Sequence, residues 1–134
     1  HPDHFSIKFF KEYADIIKRK EIRILFQDTK DKRVITFLKK NNYLVKELSI
    51  NKKTQLNKDF KVTCFKDGSY DSGLLIECNG KKILNLNDCV IRSTKRAKEV
   101  YKITGRVDIL LTQFSYAAWK GGKENLEWRN FTEE

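Results

Sequence analysis

Two histidines and an aspartate stand within four residues at the start of the sequence, in the order His1-Pro2-Asp3-His4. Two imidazoles and a carboxylate in so short a turn are donors that suit zinc, iron or manganese. The same tetrapeptide also fits a tag remnant or a frayed end. A second group of interest is Asn85-Leu86-Asn87-Asp88-Cys89, which follows a run of apolar residues. A carboxylate at the mouth of a strand lies where mixed and parallel sheets commonly place ligand-binding groups. Asp88 fits a helix cap or turn residue equally well. Asp71 is a related signal, because it too leads into an apolar run, Gly73-Leu74-Leu75-Ile76.

Other chemistries have weaker support. Ser72 and Ser115 have no histidine nearby to serve as a base, so a serine triad would have to borrow the opening residues. The neighbourhood of Gly68 and Gly73 lacks the pattern of a phosphate-cradling loop. Trp119 and Trp128, with Lys120, Lys123 and Arg129 around them, have the residue types that stack on nucleic acid. Packing in a core or interface explains the tryptophans better.

The elements that must position these residues can be read from periodicity and punctuation. Ser6 is a cap for a helix over 6–20, with Ile7, Phe10, Ala14 and Ile17 on one face. Phe9, Tyr13 and Ile16 widen that face and predict a well-buried helix. A strand over 21–26 follows. Next comes a helix opened by Asp28 or Thr29 and closed near Asn41-Asn42, then a strand over 43–48. This helix–strand alternation is that of a layered arrangement. The middle changes to strands, over 60–65, 73–78 and 82–86, with Asn79-Gly80 as a hairpin turn between the last two. Ser93 or Thr94 opens a helix that ends near Gly105, and 107–111 reads as a buried strand. Together these predict an α/β (α+β) fold with a mixed sheet and flanking helices, in one domain. That arrangement suits one layer pair of an αββα sandwich.

Composition narrows the class. With 40% hydrophobic and 34% charged residues among 134, the chain suits a folded globular domain and not a disordered one. No apolar run approaches the roughly 18 residues that span a bilayer, so no membrane segment is expected. The formal charge of +10 favours anionic partners such as phosphates, nucleotides or nucleic acid. The lysines are spread along the whole chain, however, and read more readily as a solvated surface. The three cysteines have no paired spacing, and two of them, Cys64 and Cys78, lie in apolar runs. They read as small buried hydrophobes in a reducing cytoplasm. The chain begins without Met, and the expectation is that something lies upstream.

At these residues the chain resembles the metallo-β-lactamase superfamily. HPDHFS is similar to the end of that superfamily's His-x-His-x-Asp-His signature. DSGLLIECNGKKILNLNDC is similar to the strand–hairpin–aspartate segment that carries its metal-bridging carboxylate. VDILLTQFSYAAW resembles the strand and loop that follow in one branch, that of the ascorbate-6-phosphate lactonase-like and CMP-N-acetylneuraminate hydroxylase-like proteins. The likeness runs from His1 to about Trp119, in the expected order.

The resemblance implies a two-metal site. His1 would ligate the first metal, Asp3 and His4 the second, and Asp88 would bridge the two. Asp3 would also orient the attacking water as the catalytic carboxylate. The cofactor would be a divalent metal, zinc first, with iron or manganese as alternatives. Asp108 is better read as the start of a core strand than as a ligand. The departures are equally specific. The signature's first histidine would fall before His1. No histidine stands between Lys66 and Asp71, where the next ligand belongs, which leaves Asp67 or Asp71 as substitute oxygen ligands. Nothing after Asp88 supplies the last histidine, so a complete site cannot be built from these residues.

The implied activity is hydrolase-like or lactonase-like, on a small anionic substrate that is sugar- or nucleotide-linked. The alternatives are a non-catalytic relative of the same fold and a nucleic-acid-binding or processing protein. Because the chain supplies roughly half of the implied sandwich, its apolar faces would lie open. A homo-oligomer in which copies cover one another is therefore expected.

Overall fold

The computed structural model describes residues 5–68 and 71–112. Its first part packs helices against a short parallel strand pair. Helices α1 (Ile7–Glu12) and α2 (Ala14–Arg19) are followed by β1 (Ile24–Gln27), α3 (Arg33–Lys40) and β2 (Val45–Leu48). The Ser6 hydroxyl caps α1 by accepting the Phe9 N–H at 3.2 Å, as the sequence predicts. The expected single helix is divided at Tyr13, whose backbone (φ −100°, ψ 14°) leaves the helical region. The axis nevertheless continues, because Tyr13 donates to the Phe9 carbonyl and accepts from Ile17, both at 3.0 Å.

The burial of this helical segment differs from expectation. Phe10, Ala14 and Ile17 pack against Leu38 and Tyr43, whereas Phe9, Tyr13 and Ile16 are 50%, 41% and 46% exposed. The segment is apolar on two faces, and the described residues cover one. The start of α3 also moves. Asp31 takes the Arg33 N–H at 3.0 Å and pairs with the Arg33 guanidinium, and the helix, with Lys32 at its N-cap, begins three or four residues later than Thr29 or Asp28 would place it. Its predicted stop holds: Asn41 is the C-cap and Asn42 adopts φ 59°.

β1 and β2 are parallel, with Ile24 opposite Val45, which completes a βαβ unit around α3. After Ile50, which forms a parallel bridge with Cys64, the chain enters a five-stranded sheet whose strands lie side by side in chain order. Its strands are β3 (Lys53–Asn57), β4 (Phe60–Asp67), β5 (Asp71–Cys78), β6 (Lys81–Asn87) and β7 (Ile109–Thr112), with α4 (Thr94–Thr104) between the last two. β3 to β6 pair antiparallel, while β6 and β7 run parallel, so the sheet is mixed and the fold is α+β. β3 escapes a sequence reading because its run Lys-Thr-Gln-Leu-Asn turns only Thr54 and Leu56 inward.

The predicted turn is present at Asn79-Gly80, with φ 49° and 75°. These are the two left-handed residues that a tight antiparallel connection requires. Phe65, 1% exposed, sits opposite Gly73, and a Cβ built there would fall 2.2 Å from the ring. Gly73 therefore lets an aromatic ring lie flat across the neighbouring strand. Phe65, Leu84, Leu86, Cys89 and Val100 form the core between the sheet and α4. β7 corrects an expectation: Ile109, Leu110 and Leu111 are 48%, 53% and 49% exposed, so this apolar strand is not buried among the described residues. Among those residues, no helix is long and apolar enough to cross a membrane.

Candidate functional site

Strand direction decides which side chains can meet. β4 and β6 point the same way, β5 points back, and β7 is parallel to β6. Asp67 at the end of β4, Asp71 at the start of β5 and Asp88 just past β6 thus share one end of the sheet, which α4 enters with its N-terminus. Asp67 and Asp71 are direct partners in the β4–β5 register.

The turn that presents Asp88 follows from its own sequence. Leu84 and Leu86 point into the core. The Asn85 side chain accepts the Asn87 N–H at 3.0 Å, and Asn87 takes φ 47°, which asparagine tolerates well. The Cys89 N–H then returns to the Leu86 carbonyl at 2.8 Å, while its side chain drops into the core. Asp88 is left half-buried at the apex. It is a turn residue and also the carboxylate at the strand mouth; the two sequence readings are compatible.

Asp67 is engaged on both oxygens. Oδ1 accepts from the Arg96 guanidinium at 2.9 Å, and Oδ2 accepts the Val90 N–H at 3.1 Å. The same guanidinium donates to the Lys66 carbonyl at 2.7 Å and reaches Glu99 at 3.3 Å. Arg96 is the residue that sequence reasoning misses. It is one of many basic residues, and only the tertiary fold brings it to a carboxylate 29 positions away.

The thiols in this region are unreactive by environment. Burial, and then the negative charges of Asp67 and Asp71, push the Cys89 thiol up to about 12. Burial also pushes the Cys64 thiol up, against a hydrogen bond with Ser72. Burial therefore disfavours the thiolate form of both cysteines.

His1, Asp3 and His4 lie outside the described residues, as do Ser115, Trp119 and Trp128. Among the described residues no three of the His, Cys, Asp and Glu side chains come together in a way that would hold a metal. Asp67, Asp71 and Asp88 therefore share an edge without forming a ligand cluster by themselves. Asp108 is at the opposite end, directly before β7. It accepts the Lys82 N–H at 2.9 Å and the Lys81 ammonium at 3.1 Å, which hold its carboxyl below the usual range. At that end Lys58, Lys61, Lys81 and Lys82 line an open cleft of about 240 Å³ together with Asp59 and Glu77. The carboxylates offset part of its positive charge.

No family model, no curated protein and no solved structure matches this chain.

Proposed function

We propose that this chain carries part of a divalent-metal site of the metallo-β-lactamase kind, within a hydrolase acting on a small anionic substrate that is sugar- or nucleotide-linked. The observation that carries the reading is the placement of Asp88. It is a half-buried carboxylate at the apex of a well-bonded turn, where β6 ends beside its parallel neighbour β7. With His1, Asp3 and His4 it would make a donor set of two imidazoles and two carboxylates, which suits zinc, with iron or manganese as alternatives. A metal held there would supply a Lewis acid and a bound water acidified toward neutral pH. Asp88 would hold the metal and Asp3 would orient the attacking water.

The net charge of +10 supports an anionic substrate. It supports nucleic acid less well, because the lysines are dispersed. The exposed apolar side chains of β7 support a homo-oligomer or another covering surface. All three cysteines are free, which suits the reducing cytoplasm.

A second reading has one specific observation in its favour. Asp67, a substitute for the absent middle histidine, already has both oxygens occupied by Arg96 and Val90. A site short of ligands fits a non-catalytic relative that keeps the fold. Calorimetric titration of the full chain with zinc separates the readings. Stoichiometric binding that is lost in Asp88→Ala supports the metal site. Binding that is absent, or unchanged in Asp88→Ala, removes it. Hydrolysis of a sugar-phosphate lactone by the zinc-loaded chain then distinguishes an enzyme from a non-catalytic relative.

A further inference from the structure

Three residues, Asp88, Cys89 and Val90, connect the end of β6 to the approach of α4. They are fastened from two sides. From the core, Cys89 packs with Phe65, Leu84, Leu86 and Val100. From the sheet edge, Asp67 receives the Val90 N–H on Oδ2 and the Arg96 guanidinium on Oδ1. Arg96 spans in turn to the Lys66 carbonyl, so the end of β4, the first turn of α4 and the segment after β6 meet on one carboxylate and one guanidinium. The two side chains are only 21% and 26% exposed. The bond between them is shielded from solvent more than that of an ordinary surface pair, and loss of Arg96 leaves a partly buried carboxylate without its counter-charge.

We propose that Asp67 and Arg96 are positioning residues that fix the 88–90 segment and, through it, the direction of the Asp88 carboxylate. The consequence for metal binding rests on the reading that Asp88 is a ligand; the fixing of the segment does not. Groups that hold a metal ligand from behind commonly set metal affinity by restricting where it can point. The asymmetry of the contacts gives the mechanism. Asp67 is acceptor-only, and it satisfies one backbone donor from the segment and one side-chain donor from α4. An amide in its place puts a donor NH2 where one of the two oxygens stands, so in this geometry one of those two donors loses its acceptor.

The test compares Asp67→Asn, Arg96→Gln and Arg96→Lys with the wild-type full chain, using amide hydrogen exchange and zinc competition against a chromophoric chelator. The informative amide is that of Cys89, bonded to the Leu86 carbonyl. Its exchange is expected to rise about tenfold or more in Asp67→Asn and Arg96→Gln, the factor that follows from losing a hydrogen bond to a charged group. Amides of the β5–β6 ladder and the Gly105 amide at the end of α4 should stay unchanged. Arg96→Lys keeps the charge and one donor to Asp67, and its rise should be smaller. Zinc affinity should fall by about tenfold or more in the first two variants.

Unchanged Cys89 exchange overturns the proposal, and so does a rise shared equally with the β5–β6 ladder, which marks general loosening. Equal zinc affinity in wild type and variants also overturns the positioning of Asp88 while leaving the metal site intact. Faster Cys89 exchange in a chain whose wild type binds no zinc upholds the fixing of the segment and removes the metal reading instead.

Discussion

At one end of the five-stranded sheet, Asp67 and Arg96 meet at 2.9 Å with side chains 21% and 26% exposed, and the pair ties three chain segments together. At the other end, Lys81 meets Asp108 at 3.1 Å with side chains 73% and 40% exposed. The distances are nearly the same, but the surroundings differ. Both carboxylates also accept a backbone N–H, but only the first pair stands beside the core of Phe65, Leu86 and Cys89. The second is open to water, where screening and side-chain entropy remove most of the Coulomb gain. At equal distance, then, an ion pair is constrained by what surrounds it: the fold holds the charges at the Asp67–Arg96 end, while those at the Lys81–Asp108 end stay in solvent.

The largest expected effect comes from the support under the acidic end. Phe65→Ala removes a ring that is 1% exposed and lies across Gly73, and it should lower unfolding free energy by ~3–5 kcal/mol in urea denaturation. A loss under about 1 kcal/mol would mean that this end is loosely packed and that the contrast is overdrawn.

A second test uses pH. The Cys89 thiol is raised from 9.0 to about 12 in the folded chain, so the unfolded chain releases this proton first. The stability that depends on the neutral thiol is fully present below pH 9.0 and is lost as pH rises toward about 12. Cys89→Ala should show a shallower alkaline loss than wild type when midpoints are compared across that window. Parallel curves would show that the thiol is not held as the structure has it.

The smallest effect belongs to the exposed end. Lys81→Ala should leave the urea midpoint at neutral pH unchanged. Asp108 is held below the usual carboxylate range by the Lys82 N–H and by Lys81, so its contribution is present above the ordinary aspartate range and fades as pH falls through its lowered value. A clear neutral-pH loss in Lys81→Ala would bring the two ends closer in kind.

What the sequence reveals about this fold follows from how local each signal is. Ser6 and Ser93 cap the helices they precede, Asn79-Gly80 makes the predicted turn and Gly105 ends α4, because each acts within a few residues. β3 is missed because an edge strand with only Thr54 and Leu56 turned inward carries little apolar pattern. The exposure of β7 and of Phe9, Tyr13 and Ile16 is not legible, since periodicity identifies an apolar face without saying what covers it. The position of Asp88 at the strand mouth is legible from its place after an apolar run. The Arg96–Asp67 contact beside it is not, because it depends on how α4 docks on the sheet.

The claim on which the functional account depends is that the opening His1-Pro2-Asp3-His4 and Asp88 gather around one cation. Amide spectra of the full chain titrated with substoichiometric Mn²⁺ test it directly, because the paramagnetic ion broadens only signals near it. Joint broadening of Phe5 and Ser6 together with Asn87, Asp88 and Cys89 is the expected result. Broadening confined to the first group, or centred on Asp59 and Glu77 at the far end of the sheet, would contradict it.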